Sequence, residues 1–268
     1  MVRVGLIGCG TIGTQLALAV QRTFAHAARM TALHDRDRDA ARSLQRRLTP
    51  RPPIVSLPAL IKHSHLVVEA ASVDAASRVV PLALRAGKDV FVMSVGGLLL
   101  NRAWRSLLQR SPGRIYIPSG ALTGLDGVKA MAVGRIHRVS LTTSKPPKAL
   151  AEAPYVRKKR MRLERLTRAR VIFEGSPRQA VAAFPQNANV AAALTLASGS
   201  AGARVLLRVV ADPLTRRNIH ELDVEGDCGR IRCRIESVPS ANPKTSELAV
   251  RSAVATLERI FGSVMLGT

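Results

Sequence analysis

The chain has 268 residues, enough for one large domain or two modest ones, and it can bury a full core without disulfide or metal staples. Apolar residues make up 47% of it, too many for wholesale disorder, and no run approaches the roughly 18 apolar residues of a membrane span. Forty-one basic residues against eighteen acidic ones give a net charge of +23, which raises the question of an anionic partner, but aromatics are only 3%, so base-stacking platforms are scarce.

Val2 to Ile7 is a short apolar run of the kind found in a buried parallel strand. Gly8-Cys9-Gly10-Thr11-Ile12-Gly13 follows at once, and Ile12, Leu16, Val20 and Phe24 then mark the core stripe of a helix. Met30 to His34 predicts a second strand, ending at Asp35. The alternation continues with a polar helix over Asp37 to Leu48, closed by Pro50, Pro52 and Pro53, and a strand over Leu66 to Ala70. A helix over Ala75 to Ala86 stops at Gly87, a strand follows over Val90 to Met93, then a short helix over Asn101 to Gln109 and a strand over Arg114 to Ile117. Strands separated by helices predict a doubly wound parallel sheet.

After Gly120 the texture changes. Strands are expected over Ile136 to Ser144, Arg204 to Val210, Asn218 to Val224 and Arg230 to Glu236, the last two joined by the glycine-rich turn Glu225 to Gly229. A helix over Ala188 to Ser198 precedes them, and a last helix runs from about Thr245 to Phe261. The fold class is therefore α/β. A Rossmann domain over 1–120 precedes a second α/β domain over 121–240, with a mixed or antiparallel sheet for substrate binding and dimerisation. The C-terminal helix in 241–268 is expected to pack back on the first domain.

Three cysteines, Cys9, Cys228 and Cys233, are too few for a disulfide framework and lack metal-ligand spacing. With no signal peptide in evidence, this predicts a soluble, cytoplasmic protein without a metal site. The segment Arg157 to Arg170 is densely basic and reads first as a solvated face.

The glycine turn carries the clearest chemistry. Gly8 allows a tight turn, Gly10 lets a pyrophosphate approach the backbone, and Gly13 lets helix and strand pack closely. Phosphates would meet the free amides at the start of the helix, around Thr11 and Ile12. Asp35, at the end of the second strand, suits the hydroxyls of an adenine ribose and favours NAD. Arg36 and Arg38 beside it leave NADP use open.

Strand alternation puts Asn218, His220, Leu222 and Val224 on one face. A polar pair on a core-facing surface needs partners or a ligand, so His220 is either a hydrogen-bonded core histidine or a functional one. Asn187 fits a helix N-cap. Lys244 is either a partner for a substrate carboxylate or a solvated charge.

Several blocks together resemble the L-aspartate dehydrogenase family: Ile117-Pro118-Ser119-Gly120-Ala121, Gly124-Leu125-Asp126-Gly127, Thr143-Ser144-Lys145-Pro146-Pro147, Phe184 to Ala192, Asn218-Ile219-His220-Glu221, and Val238-Pro239-Ser240 with Asn242 to Ser246. They run in the family's order over nearly the whole chain, although Gly97 stands where the pattern would carry Ala. The resemblance implies a homodimer that oxidises L-aspartate with NAD or NADP to iminoaspartate, which yields oxaloacetate and ammonia or feeds NAD biosynthesis. It places the catalytic histidine on His220 and cofactor contacts on Ala121 and Asn187. Lys145, Lys244 and Asn218 are candidates for holding the substrate. An ordinary imidazole pKa of about 6.5 would suit His220 to base catalysis near neutral pH. The competing readings are a related Rossmann enzyme acting on another small acid, of homoserine or dihydrodipicolinate type, and a non-catalytic protein that binds nucleotide or nucleic acid through its basic surface.

Overall fold

The structure is a computed structural model that describes residues 1–185, 188–199, 204–240 and 246–265. The chain forms two compact units. The N-terminal unit takes Met1–Pro118 together with Val250–Leu266, and the second takes most of what lies between.

In the N-terminal unit β1 (Val2–Ile7) leads through the glycine turn into α1 (Thr11–Arg22), then β2 (Ala28–His34), α2 (Arg38–Arg46), α3 (Leu57–His63) and β3 (Leu66–Glu69). There follow α4 (Val73–Arg85), β4 (Asp89–Val92), α5 (Gly96–Leu100), α6 (Ala103–Leu108) and β5 (Ile115–Tyr116). The strands pair in the order β2-β1-β3-β4-β5, all parallel. Both faces are covered by helices, so β1 and β3 are apolar along nearly their whole length. Leu16, Val20 and Phe24 are buried as their spacing requires. Strand order reverses between β1 and β3, and such a switch point opens a crevice at the carboxyl ends of the strands.

Gly97 has a structural reason. It lies where α5 meets the first turns of α4, and a methyl there would fall 2.6 Å from the Val73 carbonyl oxygen and 2.7 Å from Ala76 Cβ.

The second unit opens with α7 (Leu125–Met131), β6 (Ile136–Lys145), α8 (Pro147–Leu150) and α9 (Pro154–Lys158), followed by a 3₁₀ turn at Leu163–Arg165. Then come β7 (Arg170–Gly175), α10 (Pro177–Ala183), α11 (Asn189–Ala197), β8 (Val205–Ala211), β9 (Asn218–Gly226) and β10 (Gly229–Ser237). The strands pair in the order β10-β9-β6-β8-β7, with β6 and β8 parallel and the other pairs antiparallel. Val139, Leu141, Leu207, Val209, Leu222 and Val224 point to one face and are buried. The opposite face carries ion pairs between strands, among them Arg230–Asp223 at 2.5 Å and Arg234–Glu221 at 2.6 Å.

The last helix, α12 (Glu247–Phe261), contributes Ala253 and Leu257 to the core of the N-terminal unit, and the rings of Phe261 and Phe24 lie 5.5 Å apart. The basic stretch from Arg157 to Arg170 is anchored by the buried Val156 and Leu163, while its basic side chains are exposed. No described helix is long and apolar enough to cross a membrane.

Candidate active site

Two groups of side chains carry the chemistry, one in each unit.

The first surrounds the glycine turn. Gly8 sits at φ +94°, a conformation that side chains rarely adopt, and a Cβ there would lie 2.5 Å from the Ala70 carbonyl oxygen. A Cβ on Gly13 would lie 1.9 Å from the Gly8 carbonyl oxygen, so helix and turn can meet only without one. At Gly10 a Cβ would meet nothing within 4 Å, so the space over the turn is open. Gly10 caps α1 with no side-chain hydrogen bond, and the first turn holds no acidic residue. The amides of that turn, including those of Thr11 and Ile12, therefore present a positive helix end to open space, as a pyrophosphate requires.

Asp35 closes the same turn from β2. Its Oδ2 accepts the Cys9 amide at 2.6 Å and its Oδ1 the Asp37 amide at 2.9 Å. A carboxylate has about four acceptor positions, so the half-buried Asp35 can hold the turn and still receive a diol. Asp37 has a separate duty: its side chain caps α2 by accepting from the amides of Asp39 and Ala40. Arg36 and Arg38 are exposed. The Cys9 thiol is buried, and burial together with Asp35 pushes its pKa up to about 12, which leaves it inert as a nucleophile. These residues fit a dinucleotide.

A residue that sequence reasoning passed over lies beside them. Glu69 ends β3 and is fully buried. Its Oε1 accepts the amides of Ala71 and Ser72 at 2.9 and 3.1 Å, and its Oε2 accepts the Ser94 amide at 3.0 Å. Burial pushes its carboxyl above the usual range, and these donors together with the Ser94 hydroxyl pull it back. An acid at the end of the apolar run Leu66–Val68 was the available signal, because such a group is not buried without donors.

The second group lies on the covered face of the other sheet. His220 is buried, and its Nδ1 is 3.1 Å from Thr143 Oγ1, its partner across the β6–β9 ladder. Lys145, two residues along β6, is buried too and comes level with Asn218. Asn218 Nδ2 is buried and, among the described residues, has no hydrogen-bond acceptor. Burial pulls the Lys145 amine down to about 8. Burial, and then the Lys145 charge, pull the His220 imidazole down to about 3. This corrects the expectation of an ordinary imidazole: His220 is neutral at every physiological pH. One sheet face thus holds a cation, a donor lacking an acceptor and a neutral imidazole, an arrangement for a small anionic ligand bearing a transferable proton.

Ala121 is buried in the turn after Gly120, which has φ +68°, and belongs to the second unit. Asn187 and Lys244 lie outside the described residues. Among the described residues no cluster of His, Cys, Asp or Glu could hold a metal ion.

Comparison with known proteins adds a second line of evidence. Residues 126–260 match the family model described as aspartate dehydrogenase, C-terminal, and residues 8–118 match the NAD-binding domain of homoserine dehydrogenase. The chain is 42% identical to an L-aspartate dehydrogenase of Methanosarcina mazei and 37% identical to one of Nitrosopumilus maritimus, in each case over the full length of both chains. Among solved structures it resembles the aspartate dehydrogenase of Thermotoga maritima, with 26% identity, a TM-score of 0.74 and full coverage of both chains.

Proposed function

The chain belongs to the aspartate dehydrogenase family, and from that membership and the chemistry of its two residue groups we propose how it oxidises L-aspartate. The reaction takes a hydride from C2 and a proton from the amine, giving iminoaspartate, which water converts to oxaloacetate and ammonia or which feeds NAD biosynthesis. The match to homoserine dehydrogenase covers only the nucleotide-binding half.

The observation that carries the reading is the buried set Lys145, Asn218 and His220 on one sheet face. When bound, the nicotinamide supplies the hydride acceptor; the chain supplies the positions of everything else. The Lys145 ammonium and the Asn218 amide hold the two carboxylates, which fixes C2. His220 takes the proton. For Nε2 to be the basic atom, Nδ1 must carry hydrogen and donate it to Thr143 Oγ1, a hydroxyl oxygen placed to accept it. Burial is the larger cause of the depressed His220 pKa and the Lys145 charge the smaller; a carboxylate on Lys145 offsets that smaller part, so the imidazole becomes a somewhat stronger base when substrate is in place.

Gly8, Gly10, Thr11, Ile12, Gly13 and Asp35 would hold the dinucleotide, and the family resemblance adds Ala121 and Asn187 as cofactor contacts. Asp35 favours NAD, since a 2′-phosphate beside its carboxylate is repelled, and Arg36 and Arg38 make NADP the second cofactor to try. The free cysteines Cys9, Cys228 and Cys233 suit a reducing cytoplasm. A homodimer is supported by the open face of the second sheet, where half-buried Leu206 and Val210 flank Arg208, which pairs with Glu174, on a face that also carries the ion pairs of β9 and β10.

The test is NADH formation, followed by absorbance, with L-aspartate against D-aspartate, L-glutamate and L-homoserine. Turnover is expected with L-aspartate alone, and His220→Ala should lower it by about 10²- to 10⁴-fold while leaving NADH affinity unchanged. Parallel losses of turnover and NADH binding would make His220 a structural residue.

A further inference from the structure

Glu69 sits at the middle of the carboxyl edge of the parallel sheet. It binds two loops at once: Ala70–Ser72, which follows β3, and the turn at Ser94, which follows β4. The first loop forms one wall of the glycine turn, since the Ala70–Ala71 peptide is what a Cβ on Gly8 would strike, at 2.5 to 2.7 Å. Main-chain bonds complete the link, from the Ala70 amide to the Ile7 carbonyl oxygen at 2.8 Å and from the Met93 amide to the Glu69 carbonyl oxygen at 2.9 Å.

A dinucleotide spans the switch point with one mononucleotide on each half of the sheet. The β1–β2 half, with Asp35, suits the adenosine. The β3–β4 half, whose two loops Glu69 joins, is left for the nicotinamide riboside. We propose that Glu69 is a positioning residue that fixes the nicotinamide half of the cofactor site by clamping the loops after β3 and β4 together. The inference rests on the dinucleotide reading and is independent of which amino acid is oxidised.

The chemistry requires a carboxylate. Each oxygen faces at least one backbone amide donor, so both must accept. An amide of the same shape has one oxygen and one NH₂, and in either orientation it turns a donor toward one loop. Glu69→Gln therefore releases one loop while adding and removing almost no volume.

The experiment compares two probes on the full chain. NADH, titrated by fluorescence, needs both halves of the site, and ADP, titrated by calorimetry, needs only the adenosine half. In Glu69→Gln the NADH dissociation constant is expected to rise about tenfold or more, the scale of one lost charge-assisted hydrogen bond, with ADP affinity changed less than about twofold. A general loosening of the fold would weaken both probes together and overturn the proposal, as would an unchanged NADH affinity. Should Glu69→Gln not fold, Glu69→Asp keeps the charge but is too short to reach both loops, and the same split is expected. If neither variant folds, Glu69 belongs to the fold alone and the proposal fails. A wild-type chain that binds ADP but not NADH overturns the cofactor reading itself, and the proposal with it.

Discussion

At the scale of single residues, the second unit buries two basic groups whose charged forms are both disfavoured there. Lys145 and His220 are both buried with depressed pKa values, and each is easier to protonate in water than where it sits. The arrangement makes sense if the ligand brings negative charge. Lys145 holds its proton below about pH 8 and loses it above, instead of near 10.5. Succinate, a dicarboxylate with no amine to titrate, should therefore inhibit well at pH 7 and weaken by about tenfold per pH unit above about 8. Lys145→Met should bind it poorly at all pH values. A wild-type inhibition constant that stays flat from pH 7 to 9.5 would remove Lys145 from the carboxylate site. The face on which His220 points was readable from alternation in Asn218–Val224. Its neutral state was not, because that depends on burial and on the charge of Lys145, which lies 75 residues earlier and comes near it only through strand pairing.

At the scale of elements, close contacts decide where glycine is required. Gly97→Ala would drive a methyl against the Val73 carbonyl oxygen and Ala76 Cβ, so α4 and α5 must separate. The expected cost is about 1–3 kcal/mol, read as a lowered Tm, with nucleotide binding retained. An unchanged Tm would mean that the helices yield freely. The same level shows what sequence could and could not reveal. The unit from β1 to β2 was legible because the period of its apolar residues changes at the glycine turn. Helix α3 was hidden, since Pro58 in its first turn reads as a continuation of the proline-rich loop, although proline is well suited to that position. Strand β7 was hidden by the charge run before it and by a bulge between Val171 and Phe173 that breaks the alternation. Glu69 looked like the end of a strand; its three amide donors come from loops that no local pattern predicts.

At the scale of the molecule, the net charge of +23 does not have to mean nucleic acid. Part of the basic excess of the second unit is engaged between strands, where Arg138, Arg230, Arg232 and Arg234 pair with Glu221, Asp223, Glu225 and Glu236 on one face. A face with both signs interleaved can meet a copy of itself about a two-fold axis without repulsion. Sedimentation should therefore give twice the 28.8 kDa of the chain, and Leu206→Arg should shift it to the monomer. A dimer that survives this substitution would place the interface on another surface.

The passage of α12 into the N-terminal unit also has a consequence for how the protein is made. Ala253 and Leu257 belong to a core whose other members, from Val4 to Met93, are translated first. The nucleotide-binding unit thus emerges from the ribosome with a gap in its apolar interior and must wait through the whole synthesis of the second unit before it can close. The second unit, nearly continuous in the chain, has no such wait. The last unit to be completed is the one whose synthesis begins first.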